Sequence, residues 1–170
     1  MMEGRVPYSF AALHDELDVQ ETMCEMKEKG NLCTKEKAIA LAQKSRKRAI
    51  EMLLRDNSDI NALRGSNIMG VACTASLVTK QAKRGKHQCF VAAVNNTNTS
   101  VYHLVMASGL RSRSQEDTLC SKVVMKALYE NVVSIQAFEA LSGEEQVEQE
   151  LCDEESLSTE SFATTSAPGA

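Results

Sequence analysis

Apolar residues recur along this chain at two spacings. In "CTKEKAIALAQKSRKRAIEMLLRDN", Ala38, Leu41, Ala42, Ser45, Ala49, Met52 and Leu53 fall three and four residues apart, with Lys44, Lys47, Arg48 and Arg55 between them. That period predicts a helix, with Thr34 as its N-cap and Glu36 in the first turn. The small stripe predicts close packing on a sheet. Three short apolar runs follow, "NIMGVACTA", "QCFVAAVN" and "SVYHLVMAS", and read as buried strands. The turn-rich "NNTNT" joins the last two as a hairpin. Ser114 and Asp117 have capping-box spacing for "QEDTLCSKVVMKALYENVV", a helix with Leu119, Val123, Val124, Ala127 and Leu128 on its inner face. Nearer the start, Val6 and Tyr8 read as a strand, and Ser9 caps a short helix carrying Leu13 and Leu17. This order predicts an α/β class with helices layered on a mixed sheet.

With 170 residues, 43% of them hydrophobic, the chain can bury one core. The expected organisation is a domain over 1–138 and a tail over 139–170. The formal charge of −4 divides unevenly: nine acids and no Lys or Arg lie from Glu139 onward, leaving 14 of the 23 acids against all 19 bases. A body with that positive surplus suits an anionic small molecule. A Ser/Thr-rich tail of one sign with few large apolar residues is expected to be disordered. Aromatic residues make up 4% and Trp is absent, which argues against nucleic-acid recognition by base stacking. The six cysteines form no C-x-x-C and pair with no His at metal-ligand spacing, so neither a metal site nor a redox dithiol is expected. Cys73, in an apolar strand, is expected in the core with its thiol pKa raised. The start "MMEGRVPYSF" has no apolar signal core, and no apolar run approaches the roughly 20 residues that span a bilayer. A cytoplasmic chain with reduced thiols is expected, in which the sequons at Asn95 and Asn98 stay unglycosylated.

No Walker loop and no G-x-G-x-x-G occurs among the eight glycines. His14, His87 and His103 are far apart and read as packing or surface residues. Thr74 and Ser76 end a strand, where α/β sheets present ligand-binding hydroxyls. "KRGKH" sets Lys83, Arg84 and Lys86 around Gly85, and Arg111 and Arg113 precede a helix N-terminus. Two cationic loops at strand ends predict a site for a phosphorylated small molecule.

Taken in order, "RVPYS", "CTKEKAIALAQKSRKRAIEM", "GVACTASLVT", "KRGKH" and "RSRSQED" resemble the CinA C-terminal domain, over about Arg5 to Asn131. The similarity is closest to the divergent eukaryotic form that precedes a nucleotidyltransferase-like domain. The resemblance implies an α/β sandwich and an ancestral nicotinamide-nucleotide amidase, which hydrolyses the carboxamide of nicotinamide mononucleotide without a cofactor. It places Tyr8 and Ser76 at the reacting amide, Ser9 and Thr74 beside them, and Lys83, Arg84, Lys86, Arg111 and Arg113 around the phosphate. The chain departs from the family at the sites of chemistry. Its "ESCTGG"-type segment is missing, as if an N-terminal strand and helix were truncated. Leu13 stands where "YSNEAK" has its lysine, and "CTASLVTK" replaces the glycine-rich "TGIAGPGG". The expectation is a domain reduced to binding a phosphorylated pyridine nucleotide. The alternative is a non-catalytic module that forms a homodimer or docks a partner.

Overall fold

The computed structural model of this protein describes residues 31–56, 68–79, 85–132 and 151–164. Its elements in chain order are α1 (Lys35–Asp56), β1 (Gly70–Ser76), β2 (His87–Val94), β3 (Asn98–Met106), α2 (Arg113–Val132) and β4 (Ser156–Ala163). The strand at Val6 and Tyr8 and the helix after Ser9 lie outside the described residues.

Helix α1 begins at the expected cap: Thr34 Oγ1 accepts the Lys37 N–H at 3.3 Å, and the Thr34 carbonyl accepts that of Ala38 at 3.1 Å. Ala38 and Ala42 are fully buried. Their size lets the helix backbone approach the sheet, and the closest approach is at Gly70. A Cβ there would overlap the Ala42 carbonyl oxygen and lie 2.6 Å from the Arg46 amide nitrogen. Beyond this crossing the stripe has no described strand beneath it, and Met52, expected inside, is 41% exposed. A 22-residue helix is roughly 33 Å long, and a seven-residue strand only about 23 Å.

The four strands form one sheet in the order β1-β2-β3-β4 with every neighbour antiparallel, where a mixed sheet was expected. The hairpin accounts for part of this, because a short turn can join only antiparallel partners. Asn95 closes it: its Oδ1 accepts the N–H groups of Thr97 at 2.9 Å and Asn98 at 2.7 Å. Alternation along the strands then makes two cores. Cys89, Val91, Tyr102 and Leu104 pack with Leu119, Val123 and Ala127 of α2, while Ala92, Val94 and Val101 pack with Ala38 and Ala42 of α1. The architecture is a three-layer α/β/α sandwich. β1 is half exposed where a buried strand was expected, and among the described residues it has a single neighbouring strand, β2.

Helix α2 is capped two residues earlier than Ser114 and Asp117 suggest. Ser112 N–H donates to Gln115 Oε1 at 2.8 Å, and Gln115 N–H donates to Ser112 Oγ at 3.4 Å, a reciprocal capping box. Asp117 instead pairs with Arg113 across 3.2 Å. No helix among the described residues is long and apolar enough to cross a membrane.

Part of the acidic tail is structured. Ser156–Ala163 pairs along its whole length with β3, and Leu157 packs against the α2-side core. Glu155 anchors this strand. Its buried carboxylate pairs with Arg111 and accepts the N–H groups of Ala107 and Cys152, each at 3.0 Å. Tail composition suggests disorder because composition averages over residues, whereas one acid with three donors can fix a turn. Burial alone would raise the Glu155 pKa, but Arg111 and the two amides outweigh it and hold the carboxyl below the ordinary glutamate value. A depressed carboxyl stabilises the fold above its unfolded pKa and loses that contribution as pH falls toward the folded value. Acidification from pH 6 to below about 4 should therefore loosen β4 first, given an ordinary glutamate pKa near 4.3. Amide exchange should report it as faster exchange at Ser158 and Glu160 than at Val91, and the Glu155→Gln variant should show that loosening already at pH 6.

Candidate ligand-binding site

β1 and β3 end, and β2 and β4 begin, along one edge of the sandwich, where Ser76, Gln88, Val105 and Ser156 form a transverse row. Side-chain alternation presents a different cluster on each face of that edge.

On the face toward α1, the register sets Thr74 opposite Phe90, Phe90 opposite His103, and His103 opposite Ser158. The Phe90 and His103 rings stack with centroids 4.1 Å apart and planes 5° from parallel. His103 Nε2 lies 3.1 Å from Gln88 Oε1, an acceptor, which assigns the ring proton to Nε2. Burial, and secondarily the charge of Lys86, push the His103 pKa below its ordinary value, so the imidazole is neutral at pH 7. Helix α1 lies over β1 and β2 and reaches little of β3. Neither described helix covers the β3–β4 half of this face, and Phe162 is 42% exposed there, with the Lys35 ammonium 5.5 Å from its centroid. Lys35 also pairs with Glu160. The start of α1 forms one wall: Cys33 Sγ donates to the carbonyls of Thr74 and Gln88 at 3.5 Å, and Thr74 Oγ1 donates to the Thr34 carbonyl at 3.4 Å.

On the face toward α2, Glu116 is wholly buried. Its Oε1 lies 2.6 Å from His87 Nδ1, and its Oε2 accepts the Val78 N–H at 2.7 Å. Arg113 closes the group by donating to the Val78 carbonyl at 3.2 Å. A carboxylate against Nδ1 fixes the orientation of an imidazole, as in acid–base sites. Here it also clasps the end of β1 to the first turn of α2.

The structure divides the residues singled out in the sequence. Thr74, Ser76 and Lys86 belong to the α1 side, with the Thr74 proton committed to Thr34. Arg113 is on the α2 side, and Arg111 is bound by Glu155. Tyr8, Ser9, Lys83 and Arg84 lie outside the described residues. Sequence reasoning passed over the Phe90–His103 pair and Glu116. The pair had a signal: counting outward from the Asn95–Asn98 turn sets Phe90 opposite His103. Glu116 had none, being one acid among several in an ordinary helical first turn. Comparison with protein-family models, curated proteins and solved structures finds no match for this chain.

Proposed function

We propose that the β3–β4 half of the α1-side face binds a phosphorylated pyridine nucleotide without hydrolysing it. The observation that carries this reading is the stacked Phe90–His103 pair beside Lys86, next to the half of this face that no helix among the described residues covers. Beyond His103 the next residue in the row is Ser158, which is small and exposed, so a planar ring has room to stack on the outer face of the imidazole. A neutral imidazole accepts such a ring without bringing a charge against it. Lys86, exposed and close enough to act on His103, supplies a counter-charge for the phosphate. The resemblance to the CinA C-terminal domain points to nicotinamide mononucleotide as the first ligand to try. Binding without hydrolysis is favoured because Leu13 stands where the family has its lysine and "CTASLVTK" replaces its glycine-rich run.

Calorimetry with nicotinamide mononucleotide and with its riboside tests the reading. His103→Ala should weaken both ligands about tenfold, in line with roughly 1–3 kcal/mol for a stacked ring. Lys86→Ala should weaken only the phosphorylated one. Equal affinity of the His103→Ala and unaltered chains would refute the site.

One observation favours a second reading. β4, with exposed Phe162 and a single charge, Glu160, pairs among the described residues with β3 alone, so its other edge suits strand addition by a second copy. Sedimentation should then show a dimer that replacing Ser161 with Pro abolishes.

A further inference from the structure

The cluster on the α2 side holds an imidazole with one nitrogen bound and the other unused. His87 opens β2 and projects to the same face as Cys89 and Val91, with 7% of its side chain exposed. Its Nδ1 lies 2.6 Å from Oε1 of the wholly buried Glu116, whose Oε2 accepts the Val78 N–H. A carboxylate at that distance accepts a proton, which assigns the ring hydrogen to Nδ1 and leaves the lone pair on Nε2. The Nδ1 contact is the only side-chain hydrogen bond of His87 among the described residues. No side-chain nitrogen or oxygen buried among those residues lacks a partner, so Nε2 reaches solvent. Arg113, whose side chain is 56% exposed, donates to the Val78 carbonyl, so a guanidinium and the imidazole are tied to the same peptide segment. Among the described residues no three His, Cys, Asp or Glu side chains group to hold a metal ion, which favours a nucleophile over a metal ligand.

We propose that His87 is a phosphoryl-acceptor site, with Nε2 as the nucleophile and a phosphoramidate or an acyl phosphate as the class of donor. The Nε2 lone pair attacks phosphorus, and an N–P bond forms as the bond from phosphorus to the leaving group breaks. The leaving group keeps that electron pair and departs as ammonia, from a donor already protonated on nitrogen, or as a carboxylate. No further proton is needed. The ring then carries phosphorus on Nε2 and hydrogen on Nδ1, and is positively charged. Glu116 stabilises that charge from behind, as a buried carboxylate does for an imidazolium. Arg113 offsets the charge of the phosphoryl oxygens.

The test incubates the full chain with phosphoramidate and follows it by phosphorus NMR and by mapping the modified residue with mass spectrometry. One N–P species is expected, at His87 and on Nε2, formed several-fold faster than at the same residue in the chain unfolded in urea. Arg113→Ala should slow it several-fold, and nitrogen NMR of the unmodified chain should show hydrogen on Nδ1. Native His87 reacting no faster than unfolded His87 would overturn the proposal without reliance on any variant. So would phosphorus on Nδ1, or a native ring with its hydrogen on Nε2.

Discussion

Replacing Glu116 with Ala is expected to cost about 3 kcal/mol of folding stability, the low end of what breaking a buried ionisable pair costs. The side chain is fully buried and serves two partners from different elements, the His87 ring and the Val78 N–H. Its loss leaves an imidazole nitrogen and an amide without partners in a space that water enters poorly, and a vacancy where the side chain stood. Thermal unfolding should begin about 10 °C lower, since 1 kcal/mol shifts the midpoint of a chain of this size by roughly 2–4 °C. Glu116→Gln should lose less, because an amide oxygen can still accept from Val78. A cycle with His87→Ala separates the pair from the amide contact. The two single losses should exceed the double loss by at least about 1 kcal/mol. Additive losses would mean that the 2.6 Å contact is not energetically coupled.

The second large effect is expected from the smallest change, Gly70→Ala. Most Gly to Ala changes at negative φ stabilise slightly by restricting the unfolded chain. Here the added methyl meets backbone as well as side chain: the Ala42 carbonyl oxygen, the Arg46 nitrogen at 2.6 Å and the Arg46 Cβ at 2.8 Å. Backbone in mid-helix cannot rotate away, so α1 must lift from β1. The same displacement strains the bond from Arg46 Nε to the Ile68 carbonyl, 3.0 Å long. A loss of about 3 kcal/mol is expected, at the upper end of overpacking costs. Urea unfolding should show a lower midpoint with an unchanged slope, because the surface exposed on unfolding is the same. A stabilised Gly70→Ala chain would mean that helix and strand are less closely packed than described.

Much of the sandwich is legible in the sequence where a local rule governs. The period through Ala38 and Ala42, the Thr34 cap and the Asn95 turn each depend on neighbours within four residues, and each lands where the pattern sets it. Failures occur where the outcome depends on distant partners. Cys73 is exposed where a core position was expected: whether it is buried depends on what flanks β1, which among the described residues is β2 alone, and nothing in "GVACTAS" carries that information. Met52 fits the helical period and is exposed where no described strand lies beneath it. Glu155 sits in a tail whose average composition predicts disorder, and it is ordered by Arg111, 44 residues away. The sequence alone grouped Thr74, Ser76, Lys86, Arg111 and Arg113 around one ligand. Thr74, Ser76 and Lys86 stay together on the α1 side, whereas Arg113 opens α2 on the opposite face and Arg111 is taken up by Glu155. What the α1 side gains instead is the Phe90–His103 pair, which follows from hairpin register.

The measurement that bears most directly on the proposed site is a heteronuclear NMR titration of the labelled chain with nicotinamide mononucleotide. Saturable shifts centred on the amides of Lys86, Gln88, His103 and Ser158, with line broadening of the His103 ring protons and no acid product over hours, are the predicted result. No shifts at millimolar nucleotide, or shifts confined to Val78, His87 and Glu116 on the α2 side, would contradict the account.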